Sequence, residues 1–172
     1  LIFDESDFKG FYTRFRTARE YPRQVGGNLL GYVSEVSPEQ IQKWKYYSVG
    51  DYIGIGGVES AYEVELRGEK GRIRRNIYAN HTSTDEVERE PVPGKNLVSS
   101  IDARLQAFAE ELMNGKIGSV VAIEPETGEI LVMASSPTFD PNELVIGRER
   151  GNNYMRLLYE PRRPLFNRAV TS

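Results

Sequence analysis

The sequence GSVVAIEPETGEILVMAS, residues 118–135, contains two apolar runs on either side of a polar turn. The runs at 119–123 and 130–134 are rich in β-branched and other apolar residues, and the turn between them contains a proline and a glycine. Strand-forming runs separated by turn residues in this way predict a β-hairpin. Because both runs are almost continuously apolar, we expect the hairpin to lie centrally in a sheet that is covered on both faces.

Helix signals flank the hairpin on both sides. We expect residues 98–101 to form a short strand, Asp102 to cap the helix that follows, and residues 114–115 (Asn-Gly) to end it. The buried stripe of that helix is predicted to consist of Leu105, Phe108, Ala109 and Leu112. A second helix is predicted over 153–159, ending before Pro161.

The first part of the chain, residues 1–80, carries a mixed pattern. We predict a helix over 7–19 with an aromatic face, followed by a strand over 28–36. A short helix then begins with Ser37 as its cap and Pro38 in its first turn. A helix over 58–66 ended by Gly68 and an edge strand over 72–78 complete this part. Glu63 and Arg67 lie four residues apart and can pair. Residues 81–96 are acidic and rich in proline and glycine, which predicts an exposed linker or extended crossing before the region 97–172. The architecture is therefore predicted to be α+β.

Composition excludes several classes of protein. The 172 residues carry a net charge of −3, which argues against a nucleic-acid-binding protein. There is no cysteine, so disulfides and thiolate metal sites are excluded. The single histidine, His81, lies in the polar linker, where neither a catalytic triad nor a histidine-rich zinc site is expected. No apolar run approaches the roughly 18 residues of a membrane span.

Several residue groups are candidate sites by type and spacing, and none predicts catalysis. The candidates for the paired carboxylates of a glycosidase are Glu110, Glu111, Glu124, Glu126 and Glu129. The last three surround a hairpin turn, where exposed acids are common. Ser6 and Lys9 have the spacing of a serine nucleophile and its lysine, but the pattern is short and lies far from the other motifs. Residues 54–57 (Gly-Ile-Gly-Gly) lack the residues of a phosphate-binding loop and predict a tight turn before a helix. We therefore assign no catalytic, cofactor-binding or metal-binding residue.

Four sets of motifs occur in a characteristic order. They are REYP (19–22) with LGYVSEV (30–36), GGVE (56–59) with YE (62–63) and LRG (66–68), SIDARLQ (100–106) with the hairpin, and NRA (167–169). This order resembles class B penicillin-binding proteins, and most closely the penicillin-binding protein 2 branch that serves cell elongation. The resemblance implies that 1–80 is the pedestal, or dimerisation, domain and that 97–172 begins a transpeptidase domain of the β-lactamase-like fold. In that family the catalytic serine follows the NRA motif, so it is expected beyond Ser172 and this chain alone is expected to be inactive.

The resemblance also implies the activity of the whole protein. Such enzymes cross-link peptidoglycan stem peptides through a serine acyl-enzyme, need no cofactor, and are acylated by β-lactams. The expected partners of the pedestal are a membrane glycan polymerase and proteins of the rod complex, and the expected location is the periplasmic side of the bacterial inner membrane, with the anchor outside this chain. The alternatives are a non-catalytic scaffold of the elongation complex and an unrelated peptide- or glycan-binding domain.

Two structural expectations follow from these assignments. A pedestal must hold its catalytic domain at a fixed orientation, so we expect Arg19 to pair with Glu59 or Glu63 and stiffen the junction. The region 97–172 lacks the rest of its sheet on this interpretation. We therefore expect it to expose apolar surface unless another chain covers it.

Overall fold

The computed structural model describes residues 18–78, 83–145 and 147–171, which form helices and strands in an α+β arrangement. The helices are α1 (Gly27–Leu30), α2 (Pro38–Lys43), α3 (Gly57–Ala61), α4 (Glu63–Arg67), α5 (Ala103–Leu112) and α6 (Arg150–Tyr159), with a 3-10 helix at Pro141–Leu144. The strands are β1 (Tyr32–Glu35), β2 (Tyr52–Ile55), β3 (Arg72–Ile77), β4 (Ser83–Arg89), β5 (Gly118–Ile123) and β6 (Ile130–Ser136). They form three antiparallel pairs, β1–β2, β3–β4 and β5–β6. The helix predicted over 7–19 lies almost wholly outside the described residues.

The strand predicted over 28–36 is shorter than expected, because its first residues form α1. Gly26 and Gly31 flank this helical turn with φ values of 76° and 79°, a left-handed conformation that favours glycine. Ser37 caps α2 as predicted, and Gln40 completes a capping box with it. A small core of Val36, Tyr47 and Ile53 joins β1 and β2 to the segment after α2.

The helix predicted over 58–66 consists of two short helices, α3 and α4, with a break at Tyr62 and an end at Gly68 as predicted. The predicted pair Glu63–Arg67 is replaced by a shared partner, the Tyr47 hydroxyl, which donates to Glu63 at 2.7 Å and accepts from Arg67 at 3.2 Å. Burial and the hydrogen bond to Glu63 raise the pKa of Tyr47 to about 12, so its hydroxyl remains a donor at neutral pH.

The predicted linker at 81–96 contains regular structure. Ser83–Arg89 form β4, which pairs with β3 as an exposed hairpin, so the segment is exposed and extended as expected but is not a free crossing. Acidic residues of β4 face basic residues of β3, and Arg75 binds Asp85 at 2.7 Å. Val92 then pairs with Glu69, so the rest of the segment lies against the first region.

The strand predicted over 98–101 is absent; these residues are described and have no regular structure. Two hydrogen bonds reach β6 from the end of this segment: the Ser100 hydroxyl donates to the Ile130 carbonyl at 2.8 Å, and the Asp102 amide donates to the Leu131 carbonyl at 2.9 Å. The side chain of Asp102 caps α5 as predicted and accepts from the amides of Arg104 and Leu105.

The buried face of α5 differs from the prediction. Gln106 and Ala109 are buried, whereas Leu105, Phe108 and Leu112 are 44%, 57% and 54% exposed. The predicted hairpin is present as β5 and β6, and only β6 is well buried. The expectation of exposed apolar surface in this region is therefore confirmed for α5 and β5 within this chain.

We predict that Asp102→Asn weakens the start of α5 and lowers the melting temperature at pH 7. Hydrogen bonds from the backbone amides of Leu105 and Arg104 lower the pKa of Asp102 in the folded protein. A lowered pKa contributes stability above the unfolded value, and that stability is lost as the pH falls through the folded value. The difference between the variant and the parent should therefore shrink below about pH 4. Thermal melts from pH 2.5 to 7 test this, and a difference independent of pH would contradict it.

Candidate functional site: the junction between the two regions

The candidate catalytic groups weighed from sequence do not converge on a reactive site. Glu110 accepts hydrogen bonds from the Gly26 amide and the Gln106 side chain, at 2.8 and 2.7 Å, which is a structural role. Glu124 and Glu129 flank the turn of the β5–β6 hairpin. Within 18–78, 83–145 and 147–171, no cluster of three acidic or histidine side chains could hold a metal ion. Ser6, Lys9 and His81 lie outside the described residues.

A set of polar contacts instead joins the first region to the second. We call this set the junction. At one end, Arg19 binds the buried carboxylate of Glu59 through two nitrogens, at 2.8 and 3.0 Å, which confirms the predicted pair. The Tyr21 hydroxyl donates to the same carboxylate at 3.0 Å. Burial and the Glu59 charge raise the pKa of Tyr21 well above its ordinary value, which keeps this donor protonated.

The backbone of Tyr21 binds a side chain of the second region. The Asn142 side chain accepts from the Tyr21 amide and donates to the Tyr21 carbonyl, both at 2.9 Å, as a neighbouring strand would. Asn142 also donates to Asp140 at 2.8 Å, which fixes the orientation of its amide. Two hydrogen bonds to one backbone residue make the contact directional.

A second contact passes through α5. The Gln106 side chain is fully buried and bonds to both the carbonyl and the amide of Met133 on β6, at 3.1 and 2.9 Å. It also donates to Glu110, whose carboxylate holds the Gly26 amide at the start of α1. The sheet, α5 and the first region are therefore joined by one chain of hydrogen bonds.

Two further contacts complete the junction. The Asn167 side chain donates to the carbonyl of Asn28 at 3.0 Å, and Arg150 donates to Ser34 at 2.6 Å. An apolar cluster lies beneath them, in which Tyr32 of the first region packs against Phe139, Leu144 and Leu157. Its Tyr32 and Phe139 rings meet edge to face with centroids 6.2 Å apart.

The tight turn predicted at 54–57 supports the buried carboxylate. A β-carbon on Gly54 would lie 2.1 Å from the carbonyl oxygen of Glu59, so only glycine permits this approach of β2 to α3. Gly56 and Gly57 both adopt positive φ values, 69° and 52°, immediately before α3. The glycines therefore place Glu59 where Arg19 and Tyr21 can reach it.

Sequence reasoning found Arg19 and Glu59 but missed other residues of the junction, among them Tyr21, Gln106, Asn142 and Asn167. Tyr21, Gln106 and Asn167 lie inside the quoted motifs, so the motifs identified these segments but not what the residues bind. Gln106 and Asn142 are single polar residues without periodicity, and only the fold brings them to backbone groups.

We predict that Asn142→Ala lowers the free energy of unfolding by about 2 kcal/mol, because it leaves the buried backbone of Tyr21 without two partners. Urea denaturation of the variant and the parent measures the change. Asn152→Ala is the control, since Asn152 is exposed on α6 and should cost less than about 0.5 kcal/mol. Equal stabilities for the two variants would show that the Asn142 contact contributes little.

None of the helices in the described part of the chain combines the length and apolarity that a membrane crossing requires.

The comparisons with known proteins identify both regions. The Penicillin-binding Protein dimerisation domain matches residues 3–99, and the Penicillin binding protein transpeptidase domain matches residues 118–172.

Relatives and solved structures agree with this assignment. The Peptidoglycan D,D-transpeptidase MrdA of Acinetobacter baumannii is 34% identical over 95% of this chain and 25% of its own length. A chain of a peptidoglycan synthase complex that coordinates polymerization and crosslinking matches with a TM-score of 0.77 and 31% identity, over 95% of this chain and 31% of that one. PBP2 in a complex with MreC from Helicobacter pylori matches with a TM-score of 0.72 and 27% identity, over 88% of this chain and 29% of that one.

The chain spans about a quarter of the length of the curated relatives it matches. Two domain matches occur in the expected order, and together they cover most of the chain. The chain therefore belongs to the penicillin-binding proteins of the PBP2 branch, of which it carries the dimerisation domain and the beginning of the transpeptidase domain.

Proposed function

We propose that the protein containing this chain is a peptidoglycan D,D-transpeptidase, and that this chain supplies its pedestal and the first part of its catalytic domain. The observation that carries the proposal is the match of both domains of the family, in order, on one chain. The relatives named as peptidoglycan D,D-transpeptidases support it.

The proposed reaction follows serine acyl transfer. A serine beyond the NRA motif attacks the carbonyl of the penultimate D-alanine of a stem peptide, a bond forms between the serine oxygen and that carbonyl carbon, and the terminal D-alanine leaves with a proton. An amine of a neighbouring stem peptide then attacks the ester and releases the serine. β-Lactams acylate the same serine. None of the residues described here takes part in bond making.

The structure suggests what the chain contributes to that reaction. The junction joins the pedestal to β6, α5 and the residues around Asn142 and Asn167 by directional, partly buried hydrogen bonds. Acyl transfer requires reacting groups that are held in position while two large substrates bind. We propose that the junction provides this fixed orientation, and that the transpeptidase segment begins near residue 97.

Partners and location are proposed from the relatives. The synthase complex and the PBP2–MreC complex support assembly with a glycan polymerase and a rod-complex protein through the pedestal. An open groove of about 480 Å³ between Arg19, Glu59 and Lys95 offers concave surface on the pedestal. The proposed location is the periplasmic side of the bacterial inner membrane, with an anchor outside this chain.

Labelling with a fluorescent penicillin tests the proposed function. The full-length protein and the 172-residue chain are incubated with the probe, and each is repeated after heating and after pretreatment with unlabelled penicillin. A labelled full-length protein, blocked by both controls, and an unlabelled chain are the expected result. A folded full-length protein that stays blank would favour the scaffold alternative, and label on the chain itself would direct attention to Ser6.

A further inference from the structure

An exposed loop in the first region combines aromatic, basic and apolar side chains. It runs over residues 43–49, from the end of α2 toward the start of β2, and reads Lys-Trp-Lys-Tyr-Tyr-Ser-Val. Residues 40–50 contain two lysines and no acidic residue. We call residues 43–49 the aromatic–basic loop.

Hydrogen bonds within the loop fix its backbone. The Tyr47 amide donates to the Trp44 carbonyl at 3.2 Å, which closes one turn, and the Asp51 amide donates to the Ser48 carbonyl at 3.0 Å, which closes the next. The Asp51 side chain also accepts from the Ser48 amide at 2.7 Å. Tyr47 is buried in the core of the first region and anchors the loop to it. The outer side chains of the loop are therefore presented on an ordered backbone.

Two apolar side chains of the loop face solvent. Trp44 is 38% exposed and meets the Tyr47 ring edge to face, with centroids 6.2 Å apart. Val49 lies within the second turn and is 88% exposed. A single exposed apolar residue is common on protein surfaces, but here it shares one ordered loop with the only tryptophan of the chain. Their placement favours a partner with an apolar phase.

The two lysines give this apolar surface a positive charge. Lys43 lies over the Trp44 ring, with its Nζ 4.6 Å from the ring centroid. Lys43 and Lys45 are exposed, and neither forms an ion pair within the part of the chain that the structure describes. The acid that follows the loop, Asp51, is already paired with Lys70. The charge of the two lysines is therefore available to an anionic partner.

We propose that the aromatic–basic loop binds the surface of an anionic phospholipid bilayer. Trp44 and Val49 enter the headgroup region, where tryptophan is favoured because its ring is apolar and its N–H is polar. The two lysines lie against the lipid phosphates and add electrostatic attraction. An acidic protein surface would satisfy the lysines but would offer the tryptophan and the valine no apolar phase, so the bilayer fits both features. This contact adds direct lipid binding to the proposed location, and its test does not require the proposed activity.

The fluorescence of Trp44 tests the contact directly, because no other tryptophan of the chain contributes to it. The 172-residue chain is mixed with vesicles of phosphatidylcholine alone, or of phosphatidylcholine and phosphatidylglycerol in equal parts. A blue shift of the emission is expected with the anionic vesicles only. It should be lost in about 1 M salt, where the Debye length is about 3 Å. An emission that does not change with anionic vesicles would overturn the inference.

Vesicle flotation then measures the affinity of variants at exposed positions. Lys43→Gln combined with Lys45→Gln is expected to weaken binding about tenfold or more, and Val49→Ser about threefold. Lys116→Gln combined with Arg148→Gln removes two charges from exposed positions of the second region and should leave binding at the parental level. Equal flotation of all variants without a shift of the tryptophan emission would place the lipid contact elsewhere, such as on the exposed face of α5, and would also overturn the inference.

Discussion

Glu59→Ala is expected to lower the free energy of unfolding of this chain by about 3 kcal/mol. The carboxylate is 8% exposed and accepts from both Arg19 and the Tyr21 hydroxyl. Its removal leaves a buried hydroxyl without an acceptor and a guanidinium without its counter-charge, and both changes destabilise the folded state. The loss should exceed that of an exposed ion pair, because desolvation makes the unpaired groups costly.

Two variants separate charge from packing in this prediction. Glu59→Gln keeps the volume and one acceptor, so it should cost less than alanine but more than the exposed control Glu65→Ala on α4. Urea denaturation followed by circular dichroism measures all three. If Glu59→Ala were as stable as Glu65→Ala, the ion pair would be an ordinary surface contact and the junction would depend on its other contacts.

The predictions that were confirmed depend on residues close together in sequence or on strong pattern. Ser37 begins α2 because its side chain accepts from the Gln40 amide while the Gln40 side chain accepts from the Ser37 amide. The four residues from Ser37 to Gln40 are enough to specify this arrangement. The β5–β6 hairpin follows from two apolar runs and the turn between them. The Arg19–Glu59 pair spans forty residues, and it was predicted from the motifs and from the need for a stiff junction.

The predicted buried stripe of α5 was right for Ala109 and wrong for Leu105, Phe108 and Leu112, because the sequence of a helix does not specify what packs against each of its faces. Its apolar stripe of Leu105, Phe108 and Leu112 has the spacing of a buried face. Within this chain, however, the side toward β6 is occupied by Gln106, whose amide satisfies backbone groups of Met133. A large part of the relatives' length lies outside this chain, and on the proposed function the remainder of the domain covers the stripe.

Opposite charges account for the strand within the predicted linker. Acidic and Pro/Gly-rich composition predicted an exposed segment without a core, and 84–89 are indeed exposed. A two-stranded hairpin needs only one partner strand, and Arg72 to Arg75 offer positive charges opposite Asp85 and Glu88. The polarity of each strand was visible in the sequence, but their register was not.

Gly27→Ala is expected to destabilise the chain by about 3 kcal/mol, because the added methyl has no space. A β-carbon at this position would lie 2.1 Å from the carbonyl oxygen of Phe139 and 3.2 Å from the hydroxyl of Thr138. These atoms belong to the loop after β6, so the clash forces α1 away from the second region. The neighbouring contacts of Gly26 with Glu110 and of Asn28 with Asn167 would be strained by the same movement.

Gly151→Ala is the matched control for this change. Gly151 lies in α6, has no atom within 4 Å of its added β-carbon, and has no left-handed φ. Alanine in a helix is favoured over glycine by about 0.5 to 1 kcal/mol, so this variant should be more stable than the parent. The same chemical change is thus predicted to act in opposite directions at the two positions. Urea denaturation of both variants measures the difference, and a Gly27→Ala protein as stable as the parent would show that α1 and the second region need not approach this closely.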